Sequence, residues 1–181
     1  VYNSLAAISV AMYYGCKPEK IKTALEAIKI PGRSELVPNK KELSIMIDYA
    51  HSPESLENIL QAVKTYTKGR VIVVFGCGGD RDTGKRPLMG EIAGRIADYS
   101  IVTSDNPRTE DPEAIVKDIE AGISKTKGKY EIIVDRREAI KKAIEMANKK
   151  DLVILAGKGH EPYQEINKVK YPFDEREIVK E

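Results

Sequence analysis

Five short runs of almost unbroken apolar residues recur along the second four-fifths of the chain, each followed by a helical pattern. They are "LSIMIDYA" (Leu43 to Ala50), "RVIVVFG" (Arg70 to Gly76), "SIVTS" (Ser100 to Ser104), "YEIIV" (Tyr130 to Val134) and "DLVILAG" (Asp151 to Gly157). A strand that is apolar at every position has no solvent face, so these five must be covered on both sides. Their alternation with helices predicts a mainly parallel, doubly wound α/β sheet. The helix starts agree. Ser52 then Pro53, and Asp111 then Pro112, read as N-caps with proline at the first helical position, while Asp135 and Glu138 have the spacing of a capping box. The inward faces are expected to be Leu56, Ile59, Leu60 and Val63; Leu88, Ile92, Ile96 and Tyr99; Ile115, Ile119 and Ile123; and Ile140, Ala143 and Ile144. The last stretch, "FDEREIVKE", reads as a final helix.

The start of the chain is different. Leu5, Ile8 and Met12 share one helical face, and Ile21, Ala24, Leu25 and Ile28 share another after Pro18. Such a hairpin is expected to pack on sequence outside this chain, which opens on Val1 and reads like part of something longer. "KIPGRSELVPNKK" (Lys29 to Lys41) has the Pro, Gly and charge of a linker, so the boundary is expected near Arg33, giving domains 1–33 and 34–181.

Charge narrows the function. Thirty Lys and Arg against 28 Asp and Glu leave a net charge of +2, with no basic block interleaved with aromatics, so nucleic acid is not an expected partner. No apolar run approaches the ~20 residues that cross a bilayer, and no signal segment opens the chain, so no membrane is expected either. Cys16 and Cys77 form neither a disulfide framework nor a metal pair, which suits the cytoplasm. No residue pattern specifies an oligomeric state.

In a doubly wound sheet the ligand crevice lies outside the carboxyl ends of the strands. The loops there are rich in charge and glycine. "GCGGDRDTGKR" (Gly76 to Arg86) resembles a phosphate cradle, with Arg81, Lys85 and Arg86 as its cations, although it lacks the Walker A spacing; a glycine-rich turn with solvated charges is the alternative. Cys77 reads as a small residue filling a strand end. "DNPR" puts a carboxylate, Asp105, and a guanidinium, Arg108, on either side of a stiffening proline; a surface pair between the two is the alternative. "AGKGHE" adds Lys158, His160 and Glu161, the histidine alone being the less informative. Taken together, Arg81, Arg108 and Lys158 suit a carboxylate, and Asp105 with Glu161 suits an ammonium. An amino acid meets both demands, whereas a phosphate or a metal meets only one.

The stretches "YNSLAA", "PGRSE", "DYAHSPESL", "FGCGGDRDTGKRPLMG", "TSDNPRTEDP", "LAGKGHEPYQ" and "FDERE" together resemble the C-terminal part of the Mur ligases, in order from end to end. Within that family the "DNPR" form resembles the members that add meso-diaminopimelate to a UDP-N-acetylmuramoyl dipeptide. The resemblance implies a Rossmann-like acceptor domain preceded by a helical strip of the central ATPase domain. It also implies that Asn3, Arg33 and Asp48 hold the adenine and ribose of ATP. The incoming diamino acid would be held by Arg81, Asp105, Asn106, Arg108, Gly157 and Glu161, with the arginines and Asn106 on its far carboxylate and Gly157 with Glu161 toward the far ammonium. His51 would face the phosphate side.

The implied chemistry is ATP-driven, Mg²⁺-assisted activation of a carboxylate to an acyl phosphate, followed by attack of the acceptor amine. No "GTxGKT"-type loop or UDP-binding segment occurs in these residues, so this stretch alone is expected to be inactive. A lysine-adding or folylpolyglutamate-type ligase, or a non-catalytic module sensing an amino acid or nucleotide, are the alternatives.

Overall fold

The computed structural model describes residues 2–181. They divide into two compact units, Val1–Ile30 and Pro31–Glu181, so Arg33 falls in the second. The first is a pair of helices, α1 (Tyr2–Tyr13) and α2 (Pro18–Ala27), in which α2 has no buried residue and Leu5, Val10 and Met12 of α1 are exposed.

The second unit is built on a six-stranded sheet. Its strands are β1 (Glu35–Leu36), β2 (Ser44–Asp48), β3 (Val71–Phe75), β4 (Tyr99–Val102), β5 (Tyr130–Ile132) and β6 (Leu152–Ala156), in the spatial order β1-β2-β6-β3-β4-β5. All pairs are parallel except the short antiparallel edge β1–β2. The helices are α3 (Pro53–Lys64), α4 (Lys85–Ile96), α5 (Pro112–Ile123), α6 (Arg136–Met146) and α7 (Glu175–Lys180).

Every residue of β3 and β6 is buried, and alternation splits them between two cores. Val71, Val73 and Phe75, with Leu152 and Ile154, pack under α3, α4 and α5 through Leu60, Met89 and Ile119. Ile72 and Val74, with Val153 and Leu155, pack under α6 and α7 through Ile140 and Ile178. Burying one such side chain fully is worth about 1.5–3 kcal/mol, so the two cores fix the strand register and hence the position of each strand end. The doubly wound expectation is borne out.

The helix starts form as their sequences dictate. Ser52 and Ser55 cap each other's backbone N–H groups, and Asp111 and Asp135 accept from Glu113 N and Glu138 N. Two expectations of α4 fail. Tyr99 opens β4 and is not on the helix. Leu88 points to solvent, because Met89, Ile92 and Ala93 supply the inward face of α4. Residues before the last helix form a hairpin, β7 (Tyr163–Ile166) and β8 (Val169–Pro172), turned by Asn167 and Lys168, both in the left-handed region that tight two-residue turns require.

Candidate functional site

At the carboxyl ends of the strands the loops surround a cleft of about 490 Å³. Its walls include Arg81, Asp105, Asn106, Arg108, Gly157 and Glu161, all six residues expected to grip a diamino acid. His51 lines it too, together with Tyr49, Asp82, Lys85, Tyr163 and Glu165. A larger cleft of about 990 Å³ lies at the amino ends, bordered by Arg70, Asp98 and Lys129. There Arg70 is already paired with Asp151, and Asp98 with Lys64. Size alone therefore does not mark the site, and convergence of opposite charges does.

The "DNPR" turn is held open. Asp105 pairs with Lys158 Nζ at 3.2 Å, while Arg108 donates to the Gly79 carbonyl at 2.7 Å and lies 3.5 Å from Glu165, so the acid and the arginine do not pair with each other. Arg108 sits at φ 52°, an unusual conformation for a non-glycine residue, and is laced on both sides to β7: its N–H donates to Glu165 O and its carbonyl accepts from Asn167 N. The hairpin therefore aims Arg108. Asn106 is buried and engaged in its own network, with Nδ2 donating one hydrogen to Glu161 at 2.8 Å and Oδ1 accepting from Lys158 at 2.8 Å and from Glu165 N at 3.0 Å.

Lys158 is a correction. Expected beside the arginines as a carboxylate binder, it is fully buried beneath Asp105, Asn106 and Glu161 and presents nothing to the cleft. The turn explains why: Gly157, at φ 118°, redirects the chain at the end of β6, and a Cβ there would lie 3.1 Å from Asp105 Oδ2.

The phosphate-cradle reading of "GCGGDRDTGKR" also fails. A Cβ on Gly76 would run into the Thr103 carbonyl, and one on Gly79 into the Pro107 carbonyl, so these glycines let two loops touch rather than admit an anion. Gly79 N–H is spent on Asn106 O. Arg86 turns inward, held by Glu110 and Asp118 at 2.9 Å each. Lys85 stays at the cleft, donating to His51 O at 2.7 Å, and Arg81 remains exposed. Cys77 is buried against Met89, and burial pushes its thiol up to about 12, which removes it as a nucleophile.

The residues expected to hold ATP divide between the units: Asn3 lies on α1, and Arg33 and Asp48 belong to the second unit. Asp48, at the end of β2, accepts from Ser34 N at 2.7 Å through Oδ2. Arg33 lies over the Tyr49 ring, 4.7 Å from its centroid. Burial and the neighbouring Glu161 carboxylate push the Tyr49 phenol up, so it stays neutral. His51 directs Nδ1 at Tyr49 O, 2.8 Å away, which makes Nδ1 the protonated nitrogen and leaves Nε2 for the exterior. Tyr49, Tyr163 and Glu165 were not anticipated. Tyr49 could have been found as the neighbour of Asp48 at a strand end, and Tyr163 with Glu165 as the one alternating pair on a strand next to "AGKGHE".

Residues 32–159 match the Mur ligase glutamate ligase domain. The chain belongs to the Mur ligase family. It is 54% identical over 181 residues to the UDP-N-acetylmuramoyl-L-alanyl-D-glutamate–2,6-diaminopimelate ligase of Caldanaerobacter subterraneus subsp. tengcongensis, and 52% identical over 182 residues to that of Clostridioides difficile. All of this chain is covered in both, but it spans only 38% of the length of each relative. A solved structure of a ligase bearing the same name is 43% identical with TM-score 0.77, covering 97% of this chain and 36% of that one. The UDP-N-acetylmuramate-alanine ligase of Thermotoga maritima, 20% identical with TM-score 0.67 over 87% of this chain and 34% of its own, shares the Mur ligase fold.

Proposed function

We propose that this chain is the acceptor-binding part of an ATP-dependent ligase that adds meso-diaminopimelate to UDP-N-acetylmuramoyl-L-alanyl-D-glutamate in the cytoplasm. The observation that carries the reading is the single cleft in which Arg81 and Arg108 meet Asp105 and Glu161. The two curated relatives above, which bear that activity in their names, support the choice of acceptor.

In this reading the guanidiniums of Arg81 and Arg108 receive the far carboxylate of the diamino acid, with Asn106 beside them. Glu161, Asp105 and the backbone at Gly157 receive the far ammonium. Holding both charged groups of the far end places the other amine, the nucleophile, and such positioning is a large part of what an enzyme can supply to an acyl transfer. Glu165 occupies Arg108 until the ligand carboxylate replaces it.

ATP would supply the activation of the D-glutamate carboxylate. Asp48 fits a ribose hydroxyl, since Oδ2 is taken by Ser34 and Oδ1 remains to accept, and Arg33 on Tyr49 offers a flat cationic surface to adenine. The helical unit, which carries Asn3, would be a strip of the ATP-binding domain. His51 would face the phosphates. Among the described residues no three His, Cys, Asp or Glu side chains gather as metal ligands, so no Mg²⁺ ligand is assigned here and no step is routed through the ion.

Calorimetry on the full-length protein tests the reading. Binding of meso-diaminopimelate with much weaker binding of L-lysine is expected, because lysine lacks the second carboxylate for Arg81 and Arg108. Equal binding would point to a lysine-adding enzyme. This chain alone, given ATP, Mg²⁺ and both substrates, is expected to form no amide.

A further inference from the structure

We propose that Lys158 is a positioning residue that sets the charge of the acid end of the cleft, so that this end takes one ammonium group. The inference rests on the reading of the cleft as an amino-acid site and adds a residue that no ligand touches.

Lys158 is fully buried, yet its Nζ donates to Asn106 Oδ1 at 2.8 Å and Asp105 Oδ1 at 3.2 Å and lies 3.8 Å from Glu161 Oε2, an ion-pair distance. An ammonium has three donors and no acceptor, and two of the three are spent inside the protein on Asn106 and Asp105. This has a consequence for Asn106. Because Lys158 can only donate, it compels the amide oxygen to face it, and Nδ2 must then face Glu161, where it lies 2.8 Å away. Glu165 N, donating to the same oxygen at 3.0 Å, enforces the same orientation. One lysine thus orients the amide that steadies one acid and pairs directly with the other.

The charge count follows. Asp105 and Glu161 carry two negative charges and Lys158 one positive, so the acid end is left with one, which a single ammonium neutralises. Without Lys158 two carboxylates would face one cleft, and one would hold a proton to higher pH. The other groups packed around Lys158 do not substitute for it. Arg136 of α6 is paired with Glu175 of α7 at 2.7 Å, and the Tyr163 and Phe173 rings lie 5.9 Å from Nζ. Tyr49 faces the same acids as a neutral phenol. Burial, the largest influence, pulls the Lys158 ammonium below the ordinary lysine range, and Arg136 adds to that, while Asp105 and Glu161 act in the opposite direction.

The test uses the full-length protein and Lys158→Met, with Lys158→Gln as a second neutral variant should the first not fold. Calorimetric affinity for meso-diaminopimelate and the KM values for acceptor and ATP are followed between about pH 6 and 9. We expect acceptor affinity to fall about tenfold or more, to fall further as pH drops through the raised carboxyl value, and the ATP KM to stay put. Lys158→Arg, which keeps the charge, should keep the wild-type pH profile. A folded neutral variant with the wild-type profile would overturn the inference, because a merely structural lysine changes the melting temperature and not the profile. Wild-type protein that binds no meso-diaminopimelate would instead defeat the reading of the cleft itself.

Discussion

The two ends of the parallel sheet carry the same kinds of residue and use them in opposite ways. At the amino ends Asp151 and Asp98 are absorbed by the backbone. Asp151 accepts from Arg70 N at 2.7 Å and Asn148 N at 3.0 Å as well as from the Arg70 guanidinium, and Asp98 accepts from Val71 N at 2.7 Å as well as from Lys64. These acids start the strands. At the carboxyl ends Asp105 and Glu161 lean on buried Lys158, while Arg108 rests on one carbonyl and a 3.5 Å contact with Glu165. Charge at one end is spent on folding, and charge at the other is left facing a cleft. Acids and bases in this fold therefore cannot be ranked for function by type; what decides is whether the backbone has claimed them.

That contrast breaks most easily at Arg108. Arg108→Ala in the full-length protein should lower kcat/KM for diaminopimelate by roughly 30- to 4,000-fold, the equivalent of about 2–5 kcal/mol for a lost charge contact. Stability should move by less than about 1 kcal/mol, since the contact with Glu165 is long and partly exposed. Unchanged acceptor kinetics would remove Arg108 from the site. Asp151→Ala should do the reverse: it strands the part-buried N–H groups of Arg70 and Asn148 and is expected to cost about 1–3 kcal/mol in the thermal unfolding of this chain. The acceptor KM should not change, and a weakened acceptor KM with intact stability would invert the assignment of the two ends.

The acid limb of stability sharpens the same point. Burial alone would raise the Asp151 carboxyl, but the Arg70 hydrogen bonds and charge, with the N–H of Asn148, outweigh it and hold it below the ordinary aspartate range. A depressed carboxyl contributes stability that is complete above about pH 4, the unfolded value, and is lost as pH falls through the folded value. Asp151→Asn should therefore flatten the acid side of the stability–pH curve below about pH 4, seen by urea unfolding at successive pH values. A curve as steep as the wild type would mean that other carboxylates carry the acid sensitivity.

Much of this was legible in the chain. Unbroken runs such as "VIVVF" leave a strand no solvent face, so the layers and the strand ends follow from burial alone. The cleft residues were legible because opposite charges gathered at those ends. Side-chain direction was not. Lys158 and Arg81 look alike in sequence, and only the positive φ of Gly157 sends one inward while the other stays exposed. The "GCGGDRDTGKR" stretch resembles a phosphate cradle in sequence because sequence cannot show that Thr103 and Pro107 of another loop press against Gly76 and Gly79. The β7–β8 hairpin was hidden because "YQEINKVKYP" is polar and half exposed, with Asn-Lys in place of the stronger Asn-Gly turn signal.

The smallest effect is expected at Lys64, and it separates backbone capture from ion pairing. Lys64 Nζ lies 2.7 Å from Asp98 Oδ1, but both side chains are 36% exposed, so the pair should be worth only about 0.2–1 kcal/mol. Asp98 Oδ2 also receives the N–H of buried Val71, and that bond survives Lys64→Met. The variant should thus lose a few tenths of a kcal/mol at low salt and almost nothing at about 1 M NaCl, where screening acts over ~3 Å. Asp98→Ala, which strands Val71 N as well, should lose about 1–3 kcal/mol at either salt concentration. Equal losses for the two variants, both erased by salt, would show that the amino ends are held by ion pairs and not by capture of the strand backbone.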